Sequence, residues 1–161
     1  MSDKKLKLLT EWMPLSYDKK AINESRKEND GKIFLKGILQ RANTLNQNGR
    51  VYPKEVLERE IENYQKLIRE NRALGECDHP ETSVVELKNV SHVVREAYLD
   101  GDDVYGIIEL LDTPTGKILQ SLVEAGITTG ISSRGVGSVR EEKGQQIVQS
   151  DFQLICFDMV S

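Results

Sequence analysis

The chain has 161 residues, of which 38% are hydrophobic and 30% charged, and its formal net charge at pH 7 is −4. This mixture is typical of a folded soluble domain rather than a disordered chain, and interleaved charges of both signs disfavour a nucleic-acid binder, which usually has a basic face. No apolar run approaches the roughly 18 residues of a membrane span, and the length suits one domain with a single core.

The first 31 residues have the least globular pattern. Three leucines and Trp12 form an isolated apolar patch, and the residues from 16 to 31 are mostly charged or polar. This composition predicts an N-terminal arm, residues 1–31, ahead of a folded domain that spans residues 32–161.

Alternation and spacing predict the elements that follow. Residues 32–42 alternate as a strand, with Gly37 as a bulge. A helix begins at Pro53, since apolar residues then recur at spacings of three and four. Residues 84–87, 90–99 and 104–111 have strand character, and the last two segments are joined by a hairpin turn.

The last third of the chain combines one helix with further strands. Thr113 is placed to cap a helix with Pro114 in its first turn, and Gly126 ends it. A strand then runs through residues 130–140, and another covers residues 152–160. The pattern predicts an α+β fold, mostly antiparallel, built as a sheet or small barrel with two helices.

Chemistry is concentrated in residues 130–138 (GISSRGVGS), where two hydroxyls and an arginine stand between glycines. Small residues allow close approach of a ligand backbone, and a serine becomes a nucleophile only beside a base. Both histidines, His79 and His92, precede Ser132. The α/β-hydrolase order is excluded, because there histidine follows the serine and a glycine occupies the position of Arg134. A histidine-first serine protease stays open.

Other interpretations of these residues also stay open. Either Asp151 or Asp158, near the end of the chain, is suited to orient a histidine. Zinc binding by Cys77, His79 and Cys156 is disfavoured, because Cys-x-His is not a usual ligand pair. We therefore expect no metal and no cofactor, with both cysteines as reduced thiols. The glycine-rich stretch is also compatible with a tight strand that has no chemical role.

Three segments resemble the prohead core protein proteases of T-even-type tailed bacteriophages. They are residues 48–54 (NGRVYPK), 74–80 (LGECDHP) and 130–138, with further similarity at 102–106 (DDVYG). The resemblance extends from about residue 32 to the end. It implies a serine protease that matures procapsids, with a barrel-like sheet flanked by helices and a fold related to the herpesvirus capsid-maturation proteases.

The resemblance also implies roles for individual residues. Ser132 corresponds to the nucleophile and His79 to the general base, and Asp158 is favoured over Asp151 as the third member of a triad. Donors to the oxyanion are expected among Ser133, Arg134 and Gly135. His92 has no counterpart and is interpreted as structural.

Such proteases cleave after glutamate in a Leu/Ile-x-Glu context, which Leu9-Thr10-Glu11 matches. The resemblance thus implies self-cleavage between Glu11 and Trp12, by an arm that first blocks its own or a neighbouring active site. Scaffolding core proteins and the major capsid protein are the expected substrates, inside the viral prohead in the host cytoplasm. A ring-shaped homo-oligomer is expected, without nucleic-acid or membrane partners, and family members continue beyond the position of Ser161. The alternative is a non-catalytic, ring-forming virion protein of the same fold.

Overall fold

The computed structural model describes residues 3–15, 19–78 and 80–161. In these ranges the chain forms strands, three α-helices and one short 3-10 helix. In chain order the elements are β1 (Asp3–Thr10), β2 (Met13–Leu15), α1 (Lys19–Glu28), β3 (Phe34–Arg41), β4 (Arg50–Val51), α2 (Lys54–Arg69), β5 (Leu74–Glu76), a 3-10 helix (Leu87–Asn89), β6 (Val90–Asp100), β7 (Asp103–Leu110), α3 (Pro114–Glu124), β8 (Thr129–Glu142), β9 (Gln145–Val148) and β10 (Gln153–Val160).

The long strand β8 organises the larger sheet. It pairs antiparallel with β1 and β2 along one edge and with β10 and β9 along the other, and β4 adds to β9 in parallel. Arg134 is paired along both edges of β8, because it lies opposite Thr10 of β1 and also opposite Cys156 of β10. The centre of β8 is therefore covered by neighbouring strands on both sides.

The second sheet is antiparallel, in the order β3-β7-β6-β5. It meets the larger sheet where β5 ends, because Cys77 forms a parallel bridge to Met159 and Asp78 N donates to Met159 O at 2.7 Å. The mixed α+β class is thus confirmed, but the described strands form two sheets that touch at this bridge rather than a closed barrel.

The two predicted helices are confirmed as α2 and α3. Helix α2 buries Val56, Leu57 and Ile61, as its spacing predicts. At the start of α3 the Thr113 side chain accepts a hydrogen bond from Gly116 N at 3.0 Å. No helix in the described part of the chain has both the length and the apolar character needed to cross a bilayer.

The described part of the N-terminal residues is built into the fold. Strands β1 and β2 add to β8, and Leu9, Leu15 and Ile22 are core residues. Helix α1 was not predicted, since its segment is mostly polar and, among residues 20–28, whose burial is described, Ile22 alone is buried.

Two further local predictions are wrong. Residues 84–87 form no strand, because this segment is irregular up to the 3-10 helix. The bulge in β3 lies between Ile38 and Gln40 rather than at Gly37. Gly37 instead allows close packing, because a Cβ there would stand 2.7 Å from Leu15 Cδ1.

A buried histidine links the two sheets. His92 is fully buried on β6, and its Nε2 lies 2.7 Å from the carbonyl oxygen of Phe157 on β10. Because a carbonyl only accepts, Nε2 carries the proton, and Nδ1 at 2.8 Å accepts from the Ser91 hydroxyl. Gly75 leaves room for this contact, since a Cβ there would stand 2.2 Å from His92 Nε2. The interpretation of His92 as structural agrees with these contacts.

We expect the burial of His92 to make folding sensitive to acid. Burial lowers the pKa of His92 from 6.5 to about 4. As the pH falls from 6.5 to about 4, the unfolded chain binds a proton at His92 that the folded chain does not bind. The free energy of unfolding therefore decreases over this range, by about 3 kcal/mol at most. Denaturant unfolding at several pH values measures this loss.

The variant His92→Gln is the control, because glutamine keeps an N–H for Phe157 O but does not titrate. We expect its unfolding free energy to fall less than that of the wild type between pH 6.5 and 4. Equal losses in the two proteins would contradict the assignment.

Candidate active site

The serine of the glycine-rich stretch lies in the middle of β8. Ser132 is fully buried, and its Oγ donates to Ser133 O at a long 3.3 Å. Alternation along the strand directs Ser132 and Arg134 to one face of the sheet and Ser133 to the other. Asp158 on β10 is the direct cross-strand partner of Ser132, so these two side chains share a face. The structure thus brings together two of the predicted site residues.

Arg134 is the centre of a buried charged cluster on that face. Its Nη2 donates to Glu76 Oε2 at 2.6 Å and to Asp158 Oδ1 at 3.1 Å, and its Nε lies 2.9 Å from Asp158 Oδ2 in a bent ion-pair contact. Its Nη1 donates to the carbonyls of Thr82 at 2.9 Å and Val84 at 3.3 Å. Nη1 and Nη2 therefore donate to protein acceptors, whereas Nε makes no hydrogen bond within the described residues.

The two candidate carboxylates have different surroundings. Asp158 is fully buried, and burial raises its pKa, against the opposing effects of the Glu76 N–H and of Arg134. Asp151 instead holds Ser138, whose N donates at 2.9 Å and whose Oγ donates at 2.6 Å. Although partial burial opposes them, these bonds lower the pKa of Asp151. Of the two, Asp158 is the one opposite Ser132.

His79, the predicted base, lies outside the described residues. Both of its flanks are described. Upstream, Glu76 N donates to Asp158 Oδ1 at 3.0 Å and Asp78 N donates to Met159 O at 2.7 Å. Downstream, Thr82 and Val84 are held through their carbonyls by Arg134. The chain on each side of His79 is thus attached close to Ser132 and Asp158.

A second polar cluster surrounds Glu11, the residue of the predicted cleavage site. Its carboxylate accepts from Asn46 Nδ2 at 2.7 Å and from Asn48 Nδ2 at 2.9 Å. It also accepts from Arg50 Nη1 at 2.8 Å and from Tyr52 OH at 2.5 Å. Glu11 is only 3% exposed. Burial, followed by the Glu11 charge, raises the pKa of Tyr52.

The backbone around Glu11 lies along β8 beside the candidate nucleophile. Glu11 N donates to Ser133 O at 3.2 Å, and Gln40 Nε2 donates to Ser133 Oγ at 2.7 Å. Trp12 covers Gly130, because a Cβ on that glycine would stand 2.1 Å from Trp12 Nε1. A surface cavity of about 490 Å³ adjoins both Glu11 and Trp12. The predicted cleavage-site bond therefore borders open space although the Glu11 side chain is buried.

The family of prohead core protein serine proteases matches residues 9–160. The chain belongs to this family.

One sequence and one solved structure that resemble this family member come from phage T4. The prohead core protein protease of Enterobacteria phage T4 is 32% identical over 126 residues, which are 76% of this chain and 59% of the relative. The match thus covers about three fifths of the relative's length. The solved structure of the bacteriophage T4 capsid assembly protease superimposes with a TM-score of 0.84 at 25% identity, covering 97% of this chain and 98% of that one.

Sequence reasoning missed several residues that build the site of this family member. Glu76 lies in segment 74–80 and pairs with Arg134. Nothing in the sequence around Glu76 predicts this pairing, because the two residues are 58 positions apart. Segment 48–54 resembles the family, but its sequence does not indicate a role for individual residues. In the structure its Arg50 and Tyr52 bind Glu11, which lies more than 35 positions away. The signal available in the sequence was the presence of Arg50, Tyr52 and Glu76 inside segments that resemble the family.

We expect Glu11 to contribute strongly to stability. Replacing Glu11 by alanine leaves the Arg50 charge and the buried Tyr52 hydroxyl without their partner, and breaking a buried pair costs about 3–5 kcal/mol. Denaturant unfolding in a Ser132→Ala background measures this loss without self-digestion. Glu58→Ala on the exposed face of α2 is the control, expected within about 0.5 kcal/mol of the parent. A similar effect of both changes would show that the Glu11 contacts do not stabilise the fold.

Proposed function

We propose that this chain is a serine endopeptidase that acts in phage capsid assembly, with Ser132 as nucleophile and His79 as general base. The observation that carries the proposal is the family match over residues 9–160, which includes the segments of both residues. It is supported by the position of Ser132 on the same face of the sheet as Asp158, with both flanks of His79 attached there.

In the proposed reaction, Ser132 Oγ attacks the carbonyl carbon of the scissile peptide while His79 takes the hydroxyl proton. The tetrahedral intermediate then breaks its C–N bond, and His79 returns the proton to the leaving amine. Water, deprotonated by His79, hydrolyses the acyl-enzyme ester and restores the Ser132 hydroxyl. The balance of protons requires no metal and no cofactor.

Asp158 is the proposed third member, in an electrostatic role. Its oxygens already contact Arg134 and Glu76 N, but a carboxylate directly opposite Ser132 favours the imidazolium that forms on His79. Oxyanion donors are proposed among the backbone N–H groups of Ser133 and Gly135. These residues lie inside a strand that is paired at both edges, so a substrate gains access to them by displacing a neighbouring segment.

The described conformation corresponds to a closed state of the proposed enzyme. Ser132 is fully buried, and a nucleophile has to reach within about 3–3.5 Å of a peptide carbonyl. Catalysis therefore requires a movement that opens the face of β8 that carries Ser132.

We extend the proposal to cleavage after glutamate in Leu/Ile-x-Glu sequences and to self-cleavage between Glu11 and Trp12. In support, the chain holds a glutamate carboxylate beside β8 through four donors. Residues before and after Glu11 pair antiparallel with β8, as an added substrate strand does in peptide recognition. Since Leu9 is a core residue, this segment has to leave the sheet, in its own or a neighbouring molecule, before the bond reaches Ser132.

The proposed substrates are the scaffolding core proteins and the major capsid precursor, inside the prohead in the host cytoplasm. Support comes from the names of the matched relatives, a prohead core protein protease and a capsid assembly protease. A ring-shaped homo-oligomer and a fold relationship to the herpesvirus capsid-maturation proteases stay predictions.

Loss of the Ser132 hydroxyl is the direct test of activity. We expect Ser132→Ala to abolish cleavage of a peptide containing Leu-x-Glu, because alanine has no nucleophilic oxygen, while its circular dichroism matches that of the wild type. Ser121→Ala, at an exposed serine of α3, is the control and should cleave normally. Cleavage by Ser132→Ala at the wild-type rate would falsify the mechanism.

N-terminal sequencing tests self-cleavage separately. We expect active protein to begin at Trp12 and the Ser132→Ala variant to keep Met1, because only the former can acylate itself at Glu11. Active protein that still begins at Met1 would remove self-cleavage from the proposal and leave the endopeptidase assignment intact.

A further inference from the structure

We propose that Arg134 is a positioning residue, whose guanidinium fixes both flanks of His79 against the strand that carries Ser132. The inference rests on the proposed function, since it concerns where the proposed base stands relative to the proposed nucleophile. Arg134 follows Ser132 by two positions and projects from the same face of β8. This role differs from that of an oxyanion donor, which the resemblance implies.

The upstream flank is tied to Arg134 twice. Glu76, three positions before His79, accepts from Arg134 Nη2 through its side chain at 2.6 Å. Its backbone N donates at 3.0 Å to Asp158 Oδ1, an oxygen that also accepts from Arg134 Nη2. The end of β5 is therefore fixed directly by the guanidinium and indirectly through β10.

The downstream flank is tied through backbone carbonyls. Thr82 O and Val84 O, three and five positions after His79, both accept from Arg134 Nη1. Residues 80–86 belong to no helix or strand, so no sheet ladder fixes their carbonyls. One guanidinium thus binds residues on both sides of position 79.

Arginine is the side chain that this geometry requires. Its planar fork directs five N–H groups to fixed positions, whereas lysine offers three donors from a single point. Lysine in place of Arg134 keeps the positive charge for Glu76 and Asp158 but cannot reach their oxygens and the two downstream carbonyls together. The variant Arg134→Lys therefore separates positioning from charge.

The expected consequence is a loss of turnover. A displacement of about 1 Å in a catalytic group costs about 100-fold in rate. Substrate pairing along β8 does not involve the guanidinium, so KM should stay near the wild-type value while kcat falls. Looser attachment should also speed up amide exchange on both sides of His79, including that of Asp78 N, which donates to Met159 O.

The experiment compares wild type, Arg134→Lys and Arg140→Lys in two assays. One measures kcat and KM on a peptide containing Leu-x-Glu, and the other measures amide hydrogen exchange by mass spectrometry. Arg140 is the matched control, because it lies on the same strand in an exposed ion pair with Glu142. We expect Arg134→Lys to lose about 100-fold in kcat, with faster exchange confined to residues 77–86, and Arg140→Lys to match the wild type.

A second variant, Glu76→Gln, keeps the test decisive if Arg134→Lys does not fold. Arg134 faces two carboxylates, so the amide removes one buried negative charge and leaves Arg134 and Asp158 as a neutral pair. It weakens only the upstream tie, and we expect a smaller loss in kcat with faster exchange at residues 77 and 78.

The proposal is overturned if either variant folds and keeps wild-type kcat and exchange, or if exchange rises evenly along the chain, as a general loss of stability would cause. Failure of the proposed function gives a different result. In that case the wild type does not cleave the peptide, and the exchange assay alone still reports whether Arg134 holds the two flanks.

Discussion

The burial of one guanidinium constrains the rest of this structure. A fully buried charge costs several kcal/mol unless it is paired and its donors are satisfied. Arg134 is paired with two carboxylates, and its Nη1 and Nη2 find acceptors, where β5, β8, β10 and the segment after residue 79 come together. The same junction joins the two sheets and sets Asp158 opposite Ser132. The contacts of Arg134 therefore contribute both to stability and to the geometry of the site.

The polar cluster around Glu11 lies on the other face of β8 and holds further segments of the chain together. It attaches the N-terminal strands to the segment that begins at Asn46, and the backbone of Glu11 reaches Ser133 O. Consecutive residues of β8 thus face two polar clusters, one around Arg134 and one around Glu11. Because β8 is paired along both edges, the proposed substrate strand has to compete with segments of the chain itself, which is the physical reason for the closed state proposed above.

Membership of the family and the contacts in the structure support different parts of the proposed function. The TM-score of 0.84 at 25% identity means that the T4 capsid assembly protease shares the architecture although most side chains differ. The chemistry proposed for Ser132 comes from the matched segments, since a buried serine with one long hydrogen bond would not by itself indicate a nucleophile. The buried clusters then suggest how such a serine is held.

Local signals in the sequence determined the elements that depend on neighbouring residues: helix α2 from its apolar spacing, helix α3 from Thr113 and Pro114, and the hairpin between β6 and β7. The resemblance to the family, and not the local pattern, selected Ser132 and favoured Asp158, and the structure sets these two residues opposite each other. Only the tertiary structure decided that the described N-terminal residues include sheet strands, that Arg134 pairs with Glu76, and that His92 joins the sheets. Each of these depends on partners more than 50 positions away, and a buried ion pair or an added strand leaves no periodic trace in the local pattern that sequence reasoning uses.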